Sequence, residues 1–127
     1  DLTKVKKLAQ IKPWWDTIDF LCRSVGFLCL HYPETKKFVL EWSRDEDFWL
    51  RRLAIEHQLL QKEETDVQLL EQILINNLNQ TEFFINKAIG WALRDYSKTN
   101  PDWVRDFIQT HKEGLTSLSI REGSKYL

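Results

Sequence analysis

The chain has 127 residues, 43% of them hydrophobic and 13% aromatic, which is enough for one domain with a buried core. Its formal net charge of −1 argues against a self-contained nucleic-acid binder, because such proteins are usually strongly basic, although a local basic face can exist within a neutral total. No apolar run approaches the ~20 residues of a membrane span, and no signal peptide is visible.

Apolar residues recur at helical spacing through almost the whole chain. This pattern predicts helices at residues 2–11, 14–30, 34–43, 47–62, 66–78, 81–97, 101–111 and 117–125. No alternating run of apolar and polar residues is typical of a β-strand. Glycine and proline are scarce, and no Ser/Gly-rich linker divides the chain. The sequence therefore predicts one all-α domain over residues 1–127.

The first ten residues, DLTKVKKLAQ, are read as the last turns of a helix, and the chain contains no methionine. Apolar residues recur at helical spacing over residues 2–11, at Leu2, Val5, Leu8 and Ile11. We therefore expect that the sequence is the C-terminal part of a longer chain whose N-terminal helices are missing.

Several helix starts have a local cause in the sequence. Pro33 and Pro101 are expected in first turns, where the missing N–H of proline costs no hydrogen bond. Asp47, Thr65 and Thr81 are the predicted N-caps of three other helices.

Cys22 and Cys29 are the only cysteines, and they lie seven residues apart on one face of the predicted helix 14–30. With a rise of ~1.5 Å per residue their Cα atoms are about 10 Å apart, which is too far for a disulfide. We expect buried free thiols, as in a reducing compartment, and a cytoplasmic protein.

The stretch WWDTIDF at 14–20 sets two tryptophans beside two aspartates. Asp19 shares a helix face with Trp15, four residues before it. Asp16 lies near the helix start, where a carboxylate interacts favourably with the helix dipole. From spacing alone, Asp19 is either a catalytic carboxylate or the partner of Arg23 or of a neighbouring lysine in an ion pair.

Three helices each carry an aromatic residue four positions before a charged one, and the pairs are Trp15/Asp19, Phe48/Arg52 and Phe83/Lys87. The charged members are 33 and 35 residues apart. A period in this range, with two helices per unit, is typical of a helical solenoid. Because equivalent helices of a solenoid line one concave surface, we expect the charged members to face a common groove.

A second pattern lies in KAIGWALRDY, where Lys87, Trp91 and Arg94 form one stripe at i, i+4 and i+7. Gly90 beside this stripe removes a side chain in mid-helix, which often allows a helix or a ligand to approach closely. Taken alone, the stripe is read either as part of a site or as a solvated face with one packed tryptophan.

Other chemistries lack a signal in the sequence. The three histidines, His31, His57 and His111, show no metal-ligand spacing. There is no glycine-rich phosphate loop, and no serine or cysteine lies in a nucleophile motif. We therefore expect no metal site.

Three stretches resemble the DNA alkylation repair family of HEAT-like-repeat alkylpurine DNA glycosylases: WWDTID, DFWLRRLAI and EFFINKAIGWALRDYSKTNPDWV. Their order and spacing agree with the family, and the match spans nearly the whole chain. The resemblance implies an all-α, right-handed solenoid of HEAT-like antiparallel helix pairs. It also implies that residues 1–127 are the C-terminal portion of a longer protein.

The resemblance assigns roles to individual residues. Asp19 corresponds to the family's catalytic carboxylate, and Trp15 and Trp91 correspond to the tryptophans beside the lesion and its sugar. Arg52 corresponds to the arginine of the W-x-x-R motif after Trp49. The residues expected to bind DNA phosphates are Arg52, Lys87 and Arg94.

The activity implied by the resemblance is hydrolysis of the N-glycosidic bond of N3- and N7-alkylated purines in duplex DNA, by a monomer without a metal or organic cofactor. The residue types suit that reaction, since breaking the bond puts positive charge on the deoxyribose, which a carboxylate and tryptophan faces can stabilise. The alternatives are a catalytically silent DNA-structure-binding paralogue and a HEAT-type protein-interaction scaffold, which should lack a charged aromatic groove.

Overall fold

The computed structural model describes the backbone of residues 15–127 and the side chains of residues 20–127. The helices of this part are α1 Trp15–His31, α2 Lys36–Trp42, α3 Phe48–Glu56, α4 Val67–Asn76, α5 Phe83–Ser97, α6 Pro101–Thr110 and α7 Ser117–Gly123. Short 3-10 helices occupy Pro33–Thr35 and Lys62–Glu64, and no strand occurs among the described residues. The all-α prediction is confirmed there, and the predicted helix 2–11 lies outside them. None of these seven helices is long and apolar enough to cross a membrane.

Helix α3 ends at Glu56, six residues before the predicted end of 47–62. Leu60 and Lys62 adopt the left-handed backbone conformation, with φ of 69° and 52°, which an α-helix does not allow. The turn is held from outside, because the Leu60 N–H donates to Asp95 Oδ2 of α5 at 2.9 Å. Contacts with a distant helix therefore override the helical pattern of the sequence.

Two predicted helix starts are confirmed. The Asp47 side chain accepts a hydrogen bond from the Trp49 N–H at 2.9 Å, as expected of an N-cap. Pro101 is the first residue of α6, and Asn100 before it accepts from the Trp103 N–H at 3.1 Å.

Two predicted caps, Thr65 and Thr81, are wrong by one residue. The N-cap of α4 is Asp66, whose carboxylate accepts from the Leu69 N–H at 3.2 Å. The N-cap of α5 is Glu82, which accepts from Phe84. In both places a carboxylate follows the threonine, and its charge also interacts favourably with the helix dipole.

The helices pack as two alternating sets. Helices α1, α3, α5 and α7 contact one another in that order and form one row. The intervening helices α2 and α4 contact each other and α3, while α6 contacts α5 and α7. Buried aliphatic side chains fill the space between the sets, and the most deeply buried include Leu53, Ile73, Ile89 and Leu93.

Glycines allow α5 and α7 to approach closely. A Cβ atom on Gly90 would lie 2.8 Å from the Cβ of Glu122, and one on Gly123 would lie 2.9 Å from the Cβ of Leu93. The expected close approach at Gly90 is therefore made by a helix, and it brings Glu122 over the outer face of α5.

Both cysteines are buried and form no disulfide, as expected from their spacing. The Cys29 Sγ accepts a hydrogen bond from Thr35 Oγ1 at 3.3 Å. Burial raises the pKa of the Cys29 thiol, although the bond from Thr35 and the charge of Lys36 lower it.

Candidate functional site

The predicted site residues lie on three adjacent helices of one row. Trp15 and Asp19 are in the first turns of α1, and their side chains lie outside the described residues. Arg52 is on α3, and the stripe of Lys87, Trp91 and Arg94 is on α5. Helix α3 contacts both α1 and α5, so the three helices that carry these positions are neighbours.

Arg52 is buried at the centre of this neighbourhood, with 1% of its side chain exposed. Its Nε donates to Glu56 Oε2 at 2.7 Å, one helical turn away, and the Glu56 side chain is 0% exposed. The guanidinium lies between two tryptophans, 5.7 Å from the Trp49 ring centre and 5.9 Å from that of Trp91. These partners all belong to the protein, and phosphate binding by Arg52 stays a prediction.

A second cation reaches the same tryptophan from solvent. The Lys87 Nζ lies 5.6 Å from the Trp91 ring centre and 5.9 Å from the ring centre of Phe83. Lys87 and Arg52, predicted to face a common groove, therefore meet at Trp91 from two different helices.

Glu122 of α7 lies over the stripe of α5. Its carboxylate is 4.0 Å from Lys87 Nζ and 3.6 Å from Arg94 Nη1. All three side chains are partly exposed, so the cluster is accessible to solvent. The predicted stripe exists as one surface, with an acidic side chain from another helix set between its cations.

An aromatic cluster supports the tryptophan beside Arg52. Trp49 contacts Phe48 at a ring-centre distance of 4.6 Å and Phe84 at 5.6 Å, and Phe83 lies 5.4 Å from Phe84. These rings come from the N-terminal ends of α3 and α5, where both helices begin with two consecutive aromatic residues. Aromatic rings therefore line the side of Arg52 that faces Trp49.

Glu56 was missed by the sequence reasoning, although its i, i+4 spacing from Arg52 is visible in the sequence. It also lines a cavity of about 220 Å³ between α1, α3 and α5. The lining residues are Cys22, Arg23, Glu56, Leu59, Leu60, Trp91 and Asp95. The buried ion pair thus borders a space next to Trp91.

A cluster around Tyr126 was also missed. Arg94 Nη2 donates to the Tyr126 hydroxyl at 3.3 Å, and its Cζ lies 5.3 Å from the tyrosine ring centre. Lys98 and Lys125 lie 5.1 Å and 6.0 Å from the same ring centre. The hydrogen bond and positive charge of Arg94 lower the pKa of the Tyr126 hydroxyl. In the sequence, the one sign of this cluster is the spacing of Lys98, four residues after Arg94.

His57 follows Glu56 and is also buried. Its Nδ1 lies 2.6 Å from the carbonyl oxygen of Ala54, so that nitrogen carries the proton and donates. Desolvation by burial lowers the pKa of His57 from 6.5 to about 4. His57 is therefore uncharged at neutral pH. Among the described residues, no group of three or more His, Cys, Asp or Glu side chains is arranged to hold a metal ion.

Comparison with known proteins shows which family the chain belongs to. The model of the DNA alkylation repair enzymes matches residues 1–127 of the chain. The chain is also similar to a solved structure described as a predicted DNA alkylation repair enzyme from Enterococcus faecalis, with 39% sequence identity and a TM-score of 0.86. That alignment covers 100% of this chain and 61% of the other, so the chain spans 61% of the length of that protein. No curated protein matches the chain.

Proposed function

The chain belongs to the DNA alkylation repair enzyme family, and from that premise we propose that it hydrolyses the N-glycosidic bond of N3- and N7-alkylated purines in duplex DNA. Such a base carries a positive charge, which makes it a good leaving group. The reaction therefore needs groups that stabilise the sugar cation and hold the DNA backbone, more than it needs a strong acid.

The observation that carries the proposal is the arrangement around Trp91. Arg52 and Lys87 approach its ring from two helices, and Arg94 continues the same surface. Cations beside an aromatic face suit a ligand that has both phosphates and stacked rings. Asp19 and Trp15 lie on α1, which contacts α3 in the same row, and we propose that they face the same surface.

The roles within the site follow from exposure. Lys87 and Arg94 are partly exposed, and they are our candidates for direct phosphate contact. Arg52 is buried beside the rings of Trp49 and Trp91, so it would reach a phosphate only if these rings moved apart. Asp19 is the proposed catalytic carboxylate, and it would stabilise the positive charge that develops on the deoxyribose.

The proposed architecture is a right-handed solenoid of HEAT-like antiparallel helix pairs. Its support is the alternation of the helices, since every second helix joins one row. In such a solenoid α1, α3, α5 and α7 would line the concave side, where duplex DNA would lie.

A second candidate is a catalytically silent DNA-binding paralogue. It would need only the partly exposed cations Lys87 and Arg94, and the buried pair of Arg52 and Glu56 would then serve stability. The interaction scaffold is the weakest alternative, because the cations and aromatic rings around Trp91 suit an anionic partner.

Release of free 7-methylguanine from methylated duplex DNA distinguishes these functions. The protein is incubated with DNA treated with a methylating agent, and the released bases are separated by chromatography. Unmethylated DNA is the control. Release that depends on the protein supports the glycosylase. Binding without release favours the silent paralogue, and absence of both favours the scaffold.

A further inference from the structure

We propose that the DNA-contact surface extends beyond Trp91 to the C-terminal end of α5, where a further patch binds the phosphodiester backbone. We call it the Tyr126 patch, and it consists of Arg94, Lys98, Lys125 and Tyr126. It rests on the proposed function only in taking DNA as the ligand.

The patch continues the stripe of α5. Trp91, Arg94 and Lys98 follow one another at three and four residues, so they share a helix face. Seven residues of helix span about 10 Å, and a DNA strand advances about 3.4 Å per nucleotide. A DNA strand that runs along α5 past Trp91 would therefore meet Lys98 roughly three nucleotides further along.

The charge of the patch is available to a ligand. Lys98 and Lys125 are exposed, and neither forms an ion pair with another described residue. Among the described residues, Arg94 is the member of the patch that forms an ion pair, with Glu122 at 3.6 Å. Two exposed ammonium groups beside one ring make a local positive surface on a chain whose net charge is −1.

The tyrosine adds a directed hydrogen-bond donor. Its hydroxyl oxygen accepts from Arg94, which leaves the hydroxyl proton to point elsewhere. Tyr126 is 49% exposed, so that proton can meet a ligand oxygen. The nearby cations also favour ionisation of the hydroxyl, which makes it a stronger donor. Two ammonium groups and one hydroxyl donor are a set that suits phosphate oxygens.

The test is a titration of the chain against a fluorescently labelled duplex, read by anisotropy over a series of salt concentrations. The variants Lys98→Ala and Lys125→Ala should each reduce the slope of log K against log salt by about 1, because each removes one phosphate contact. Tyr126→Phe keeps the ring and removes the donor, so affinity should fall a few-fold while the slope stays unchanged.

Lys37→Ala is the matched control. Lys37 is also an exposed lysine over an aromatic ring, 5.2 Å from the ring centre of Phe38, but it lies on α2, outside the row of α5. The Lys37→Ala variant should bind DNA with the same slope of log K against log salt as the unmodified chain. Circular dichroism of each variant checks that the helices are retained.

Slopes that are unchanged in Lys98→Ala and Lys125→Ala overturn the proposal, and so does an equal loss in Lys37→Ala. If methylated base is released while these slopes stay unchanged, the patch is wrong and the glycosylase stands. If the slopes fall but no base is released, the patch stands and the glycosylase is wrong. Absence of DNA binding by the unmodified chain at low salt overturns the patch.

Discussion

Two arginine–glutamate pairs lie on adjacent helices of the same row, and they differ mainly in their access to water. Arg52 and Glu56 pair within α3 at 2.7 Å, with 1% and 0% of their side chains exposed. Arg94 and Glu122 pair between α5 and α7 at 3.6 Å, with 31% and 21% exposed. The residue types are the same, and burial alone separates their expected roles.

The buried pair is costly to break, because a charge would lose its partner at 2.7 Å in a dry environment. The exposed pair contributes little to stability, since water and salt screen it. For ligand binding, the exposed pair is expected to matter more than the buried pair. A phosphate can compete with Glu122 for Arg94 in solvent, whereas Glu56 holds Arg52 inside the protein.

The largest effect is expected from breaking the buried pair. Glu56→Gln should lower the free energy of unfolding by about 3–5 kcal/mol, measured by urea denaturation. If that variant does not fold, the double variant Arg52→Met/Glu56→Leu should restore folding, because it removes both charges together. A loss below about 1 kcal/mol would show that the pair is not desolvated.

The buried region is also expected to be the acid-sensitive one. The pKa of His57 is 6.5 when unfolded and about 4 when folded, so the unfolded chain binds more protons between these values. The contribution of His57 is therefore complete above pH 6.5 and is lost as pH falls towards about 4, in total about 3 kcal/mol. His57→Phe should flatten the stability–pH curve in that window. A curve as steep as that of the unmodified chain would contradict the assignment.

Removing the exposed arginine should affect DNA binding more than stability. Arg94→Ala should change the free energy of unfolding by less than about 1 kcal/mol. It should also weaken duplex binding and reduce the salt slope by about 1. Anisotropy titration and urea denaturation of the same preparation give both values. The reverse pattern, with lost stability and unchanged binding, would make Arg94 a structural residue.

The smallest effect, and the only gain, is expected from Glu122→Gln. This change removes the negative charge that pairs with both Lys87 and Arg94, so both cations become fully available to phosphate. Duplex binding should tighten a few-fold at low salt, with stability changed by less than about 1 kcal/mol. The gain should be lost in the background of Arg94→Ala together with Lys87→Ala.

The sequence predicted the helices well because each carries its own apolar period. It also predicted the stripe of Lys87, Trp91 and Arg94, since residues at i, i+4 and i+7 must share a face. It did not predict that Arg52 is buried, because burial depends on how α5 brings Trp91 over α3. Spacing within a helix is local information, whereas access to water is decided by its neighbours.

Tyr126 is a second residue whose surroundings the sequence did not predict. Its place beside Arg94 depends on α7 turning back onto α5, which the missing side chains of Gly90 and Gly123 allow. The sequence showed that Gly90 permits a close approach, but not which element would make it. A residue brought in by a distant helix leaves no periodic signal in the chain.

The most direct test of the proposed glycosylase compares two aspartates of the stretch at 14–20. Asp19→Asn keeps the size of the side chain and removes its charge, so the intact protein should release methylated base about a hundred- to a thousand-fold more slowly. DNA affinity should change little. Asp16→Asn, the control at the helix start, should release base at nearly the original rate. Equal slowing in the two variants would contradict the catalytic assignment of Asp19 and leave it as a structural ion-pair partner.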